Sequence, residues 1–196
     1  MNVIQEFQKF PIAKARDLIK DLYHPSPWIY WSDFLLSAGL GWVAFVITSR
    51  APLFSLEQVL SFLVAVLALY RAALFIHEIA HFKKGSFRVF QKVWNLICGY
   101  PLMIPTFLYQ SVHYDHHKQN FYGTKNDGEY FPFASKEKRF IVLYIGFSFL
   151  IPLVFLFRFI ALTPLSYLHS GLREFLIQNI SSLNIDLNYR LSLIHI

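Results

Sequence analysis

The sequence predicts an all-α integral-membrane protein with about three membrane-spanning helices, interfacial helices beside them and a cytoplasmic-side histidine cluster. Three observations carry this expectation. Hydrophobic residues make up 55% of the 196-residue chain and charged residues only 15%, a balance outside that of an ordinary soluble domain. Three stretches approach the roughly 20 apolar residues that a helix needs to cross a bilayer core. Five of the eight histidines lie between His77 and His117.

The first segment, residues 1–32, carries charges with no long apolar run behind them, so it reads as an amphipathic interfacial segment and not as a cleaved leader. The membrane domain is expected over 33–190. Its first span, FLLSAGLGWVAFVITS at 34–49, follows a belt of Trp28, Tyr30 and Trp31 suited to the headgroup level and stops at Arg50, with Pro52 just beyond. The second, about 58–76, has Arg71 inside it, and a charge at that depth must pair within the protein or snorkel. The third, about 140–157, contains Pro152 and is expected to kink there. Between the second and third, VFQKVWNLICGYPLMIPTFLYQ is broken by Gly99, Pro101 and Pro105, so it is expected to lie along or dip into the interface. The last six residues, Leu191 to Ile196, read LSLIHI and resemble a translated library end. They are expected to be a non-native tail, with the natural chain continuing past Arg190.

Basic residues set the orientation. Residues 1–33 carry four Lys or Arg and 83–139 carry nine, thirteen in all, against four assigned to the opposite face. Excess Lys and Arg mark cytoplasmic loops, which places the loop from Phe82 to Arg139 in the cytoplasm and the 51–57 loop on the other side. The net charge of +6 is spread beside apolar stretches and forms no stripe on one helix, so it suits an anionic membrane surface and no nucleic-acid partner is expected. Cys98 is the single cysteine, which excludes an internal disulfide and a CxxC metal or redox pair and leaves any metal to His or carboxylate ligands. It reads as an ordinary packed or lipid-facing residue.

The histidines form two groups, HEIAH (His77, His81) and HYDHH (His113, His116, His117). Residues four apart on a helix are offset by about 40° and rise about 6 Å, so each group can aim at one point. Counted from Val59, His77 lies about 27 Å along its helix, at the membrane rim and not at mid-bilayer. Imidazole suits iron, zinc and copper, and as a neutral ligand it is cheaper than carboxylate to place near apolar surroundings. Five imidazoles exceed what a tetrahedral zinc site with an open position holds, whereas a two-metal centre can use them all if further ligands come from elsewhere.

These two groups, at opposite ends of a Pro-broken interfacial segment, resemble the first two histidine boxes of the membrane fatty acid desaturases. GSFRVFQKVWNLICGYPLMIPTFLY and NFYGTKNDGEYFPF resemble the stretches that flank those boxes in bacterial members, and the likeness covers about residues 30–190. It implies a two-iron centre with His77, His81, His113, His116 and His117 as metal ligands, and dioxygen as co-substrate. It further implies a lipid acyl chain as substrate, desaturated to form a double bond, and an external electron donor of ferredoxin or cytochrome type docking near Lys83, Lys84, Arg88 and Lys92. The family's third box, a further His-His pair, is missing: His169 stands alone and His195 lies in the tail. The chain is therefore expected to be a fragment unable to assemble the whole centre and inactive by itself.

Two other reactions compete. A related di-iron hydroxylase or ketolase acting on a lipid or carotenoid would carry the same boxes. An intramembrane HExxH zinc metalloprotease would use Glu78 as general base but leaves HYDHH unexplained. In the two-iron reading Glu78 and Asp115 at best orient ligand histidines. Asp127, Glu129 and Tyr130 in NDGEY either meet lipid headgroups or merely form an Asp-Gly turn. His24 and His169 read as interface and loop residues.

Overall fold

The computed structural model describes residues 11–20, 25–83, 85–124, 126–130 and 137–180, and the structural statements below concern these. They are helical, without a strand. The expected tail and His24 lie outside them.

A short helix α1 (Ile12–Leu18) precedes α2 (Pro27–Arg50), α3 (Leu56–Ala73) and α4 (Phe75–His81). Proline opens α2, a position where its missing N–H costs nothing. The aromatic belt therefore forms the first turns of α2 and lengthens the span expected at 34–49 to 24 residues. At the start of α3 the Ser55 hydroxyl accepts from Gln58 N at 3.1 Å while Gln58 Oε1 accepts from Phe54 N at 2.8 Å, a reciprocal cap. The helices α3 and α4 run on from each other as one apolar length, Leu56–His81, and with Pro27–Arg50 and Ile151–Leu168 they are long and apolar enough to cross a membrane.

Small residues let α2 and α3 approach closely, with Ala38, Gly41 and Ala44 facing Ala65, Ala68 and Ala72 in the buried seam. A Cβ on Gly41 would stand 2.9 Å from the Leu69 backbone nitrogen, so no larger residue fits without moving a helix. Outward-facing Leu36, Leu40, Val43, Leu63 and Leu67 are exposed, the surface that lipid covers.

The interfacial segment folds as α5 (Arg88–Trp94), a π turn (Asn95–Gly99), an irregular corner, and α6 (Thr106–His116). Two indole hydrogen bonds tie it to the spans, one from α2 to its backbone and one from its own Trp94 to α3. Trp42 Nε1 donates to the Ile97 carbonyl at 3.0 Å, and Trp94 Nε1 donates at 2.8 Å to the Ala72 carbonyl, where α3 gives way to α4. Asn95 fixes the entry to α6: its carbonyl oxygen accepts from Thr106 N and its amide donates to Thr106 Oγ1, both at 2.9 Å. Tyr30 and Phe34 of α2 pack edge-on against Phe75 and Phe90, so an aromatic cluster locks α2, α4 and α5 beneath the histidines.

The third span departs from the expected 140–157. α7 (Lys138–Ser148) ends at Phe149 and Leu150, and the continuous length is Ile151–Leu168, made of α8 (Ile151–Leu156), a π turn (Phe157–Leu162) and α9 (Thr163–Leu168). Pro152 is the cause, since it lacks the N–H that would bond the Ser148 carbonyl and its ring crowds that carbonyl. Phe149 N and Leu150 N turn back instead to the carbonyls of Gly146 and Phe147. The proline thus starts a helix instead of kinking one. α10 (Ser170–Ile180) follows, with His169 Nδ1 accepting from Leu172 N at 3.1 Å to cap its first turn. α7 to α10 pack chiefly on one another.

Candidate metal centre

The two histidine boxes meet because α4 packs against α6. One ligand atom each of His77, His81, His113 and His117 lies within 4.8 Å of the others. His113 Nε2 stands 2.9 Å from His81 Nε2 and 3.1 Å from His117 Nε2. Two nitrogens bound at adjacent octahedral positions about 2.1 Å from one metal are about 3.0 Å apart, so these three imidazoles fit the coordination sphere of a single divalent transition metal. His77 stands beside them, its ring centroid 4.5 Å from that of His113. His113 is buried whereas His77, His81 and His117 are exposed, so the group is open on one side.

His116, the fifth expected ligand, stands outside this group, its ring centroid 5.5 Å from that of His117. Its Nδ1 lies 3.0 Å from both oxygens of Asp127, a carboxylate with no solvent exposure. Asp127 also accepts from Gly123 N at 2.9 Å and Glu129 N at 3.0 Å. Burial by itself would raise its pKa, but these backbone donors and His116 outweigh burial and hold the carboxyl below its ordinary range. An ionised Asp127 takes the Nδ1 proton of His116 as a hydrogen bond and leaves Nε2 with a lone pair for a metal.

His113 is oriented the same way. Its Nδ1 lies 2.9 Å from Glu129 Oε1 and 2.9 Å from the Tyr109 hydroxyl, which itself bonds Glu129. Burial lowers the His113 pKa, Glu129 pulls it back up, and the net shift is downward. Burial and then the Glu129 charge push the Tyr109 phenol well above its usual value.

Asp127 and Glu129 of the NDGEY turn thus orient two of the histidines, the role that the sequence suggested for Glu78 and Asp115. Glu78 accepts from Tyr30 at 2.9 Å and lies 3.7 Å from His77 Nδ1, beyond a hydrogen bond. Asp115 pairs with Lys118 at 2.6 Å. The signal that could have found Asp127 is its place in a turn 11 residues beyond His116, where the returning loop folds over the second box.

Four imidazoles gathered at the end of an apolar helical length are a donor set suited to a transition metal. The fatty acid desaturase family profile matches residues 53–194. The chain belongs to the fatty acid desaturase family. It is 35% identical over 173 residues to a ceramide hydroxylase of Caulobacter vibrioides (strain NA1000 / CB15N), covering 88% of this chain and 49% of that protein. The chain therefore spans about half the length of the curated relative it matches. No solved structure matches it. Membership places it among the membrane desaturases and hydroxylases that use di-iron centres, and the histidines above fit such a metal.

Proposed function

We propose that the protein is an oxygen-dependent oxidoreductase that oxidises the acyl chain of a membrane lipid, with iron held by His77, His81, His113, His116 and His117. The observation that carries this is the approach of four imidazole ligand atoms to within 4.8 Å at the end of a membrane-spanning length. Two ferrous ions, when bound, supply the dioxygen chemistry that attacks an unactivated C–H bond, drawing electrons from a separate donor of ferredoxin or cytochrome type. The chain's own residues hold that site: Glu129 and Asp127 fix the rings of His113 and His116, and the aromatic cluster fixes α4, which carries His77 and His81, against α2 and α5. The boxes face the cytoplasm in this reading, where such a donor is found, and Lys83, Arg88 and Lys92 offer it a basic approach.

Hydroxylation is the outcome the 35% identical ceramide hydroxylase favours. Desaturation, the outcome first expected from the histidine boxes, is favoured by the family to which the profile belongs. Lipid mass spectrometry of a host expressing the full-length protein separates them, since one product gains an oxygen and the other loses two hydrogens. Product must require iron and vanish in His113→Ala and His116→Ala variants that still insert in the membrane. A lipid profile indifferent to both substitutions refutes the proposal.

A further inference from the structure

The two carboxylates that grip ligand histidines are held in different ways. Asp127 has no solvent exposure and accepts from the backbone N–H groups of Gly123 and Glu129, so the turn itself sets where it points. The Glu129 side chain is 17% exposed, and among the described residues the donors to its carboxylate are side chains, those of His113 and Tyr109. Water competes for such a carboxylate, and its longer stem leaves one more rotatable bond for something other than the turn to fix.

Tyr109 lies one helical turn before His113 on α6, so the two side chains share a face. Its ring stacks along the imidazole, with centroids 4.9 Å apart and planes 21° apart. Its hydroxyl stands 2.9 Å from His113 Nδ1 and donates to Glu129, whose Oε1 is also 2.9 Å from that nitrogen. Counting hydrogens assigns the group. A carboxylate ion only accepts, so it takes one hydrogen from the phenol and one from Nδ1. That leaves the lone pair of His113 on Nε2, which stands 2.9 Å from His81 Nε2 and 3.1 Å from His117 Nε2. In the other tautomer Nδ1 would set a lone pair against the carboxylate, with the phenol hydrogen alone among three acceptors. The His113 side chain is 2% exposed, so a ring protonated the wrong way finds no water to satisfy it.

We propose that Tyr109 is a positioning residue of the metal centre: its hydroxyl clamps Glu129 onto His113 Nδ1 and its ring bars the imidazole from rotating, which keeps Nε2 free of a proton and aimed at the metal. This rests on the reading of His113 as an iron ligand, but the tautomer it sets exists before any metal is bound.

The first readout is therefore the tautomer of His113 in the metal-free full-length protein in detergent. Ring-nitrogen NMR of isotope-labelled histidine tells N–H from bare N at mildly alkaline pH, where imidazole is neutral, and the His113 signals are those lost in His113→Gln. The proton should sit on Nδ1 alone in the unaltered protein and spread over both nitrogens in Tyr109→Phe, which keeps the stacked ring and loses the hydroxyl. The second readout is retention of cobalt(II) against a chelator. Tyr109→Phe should release it at about tenfold lower chelator concentration, the low end for loss of an orienting partner, and Tyr109→Leu, which loses the stack as well, at lower concentration still. Gln91→Leu breaks the 3.1 Å bond from α5 to Thr106 at the far end of α6, and should leave both readings unchanged. A mixed tautomer in the unaltered protein, a pure one in Tyr109→Phe, or metal loss as large in Gln91→Leu overturns the proposal. An unaltered protein that binds no metal while its tautomer still answers to Tyr109 would sink the proposed function alone; tight metal binding with a tautomer indifferent to Tyr109 would sink this inference alone.

Discussion

Replacing Asp127 by Asn tests whether the NDGEY turn governs the metal centre. The carboxylate receives the Nδ1 proton of His116 and two backbone N–H groups, Gly123 on Oδ2 and Glu129 on Oδ1. An amide keeps one acceptor oxygen and turns an NH2 toward the rest. One buried backbone N–H then loses its acceptor, at about 1–3 kcal/mol. His116 must present a lone pair to the new donor, which moves its proton to Nε2 and removes the atom that would bind metal. Losing such an orienting partner typically weakens metal affinity 10- to 100-fold, about 1.4–2.8 kcal/mol. Iron stoichiometry and chelator competition on the full-length protein in detergent give the readout, with Glu137→Gln, in a surface pair with Arg139, as control. Asp127→Asn should shed iron at about 10- to 100-fold lower chelator concentration while the control does not. Unaltered iron retention in both Asp127→Asn and His116→Ala would refute the reasoning, since neither the carboxylate nor the ring it holds would then matter to the metal.

Other expectations follow from the packing and the orientation. Gly41→Ala puts a methyl 2.7 Å from Leu69 Cγ and should destabilise the α2–α3 pair by about 1–3 kcal/mol, whereas Gly39→Ala, with nothing within 4 Å, should be neutral or slightly stabilising; thermal melting in detergent compares them. Trp94→Phe leaves the buried Ala72 carbonyl without the indole donor and should cost about 1–3 kcal/mol by the same measurement. Introduced cysteines report the orientation in intact cells: an impermeant thiol reagent should modify Ser55→Cys and spare Ser86→Cys, with little background from buried Cys98, and the opposite pattern would reverse the proposed orientation.

What the sequence made legible is what depends on local periodicity. The spans at α2 and α3, the meeting of HEIAH with HYDHH and the need of Arg71 for a partner follow from helical spacing and from the cost of charge in lipid. The partner itself did not follow, because Asp33 is 38 residues away and reaches Arg71 only through the α2–α3 seam. The third span was misplaced for a local reason: hydropathy continues smoothly through Phe149 and Leu150, whereas the missing N–H of Pro152 decides where the helix can restart.

The orienting carboxylates were the harder case. Glu78 and Asp115 lie inside the boxes and so looked like the partners of the histidines, yet a helix turns adjacent residues about 100° apart, which aims Glu78 at Tyr30 and Asp115 at Lys118. A carboxylate that grips the outer nitrogen of a ligand histidine must approach from behind the ring, and here a chain segment folding back over the helix does so. The NDGEY turn does this, presenting Asp127 to His116 and Glu129 to His113 two residues apart. The centre is therefore a product of the turn as much as of the boxes: the helices aim the imidazoles inward, and the turn decides which nitrogen of two of them carries the proton.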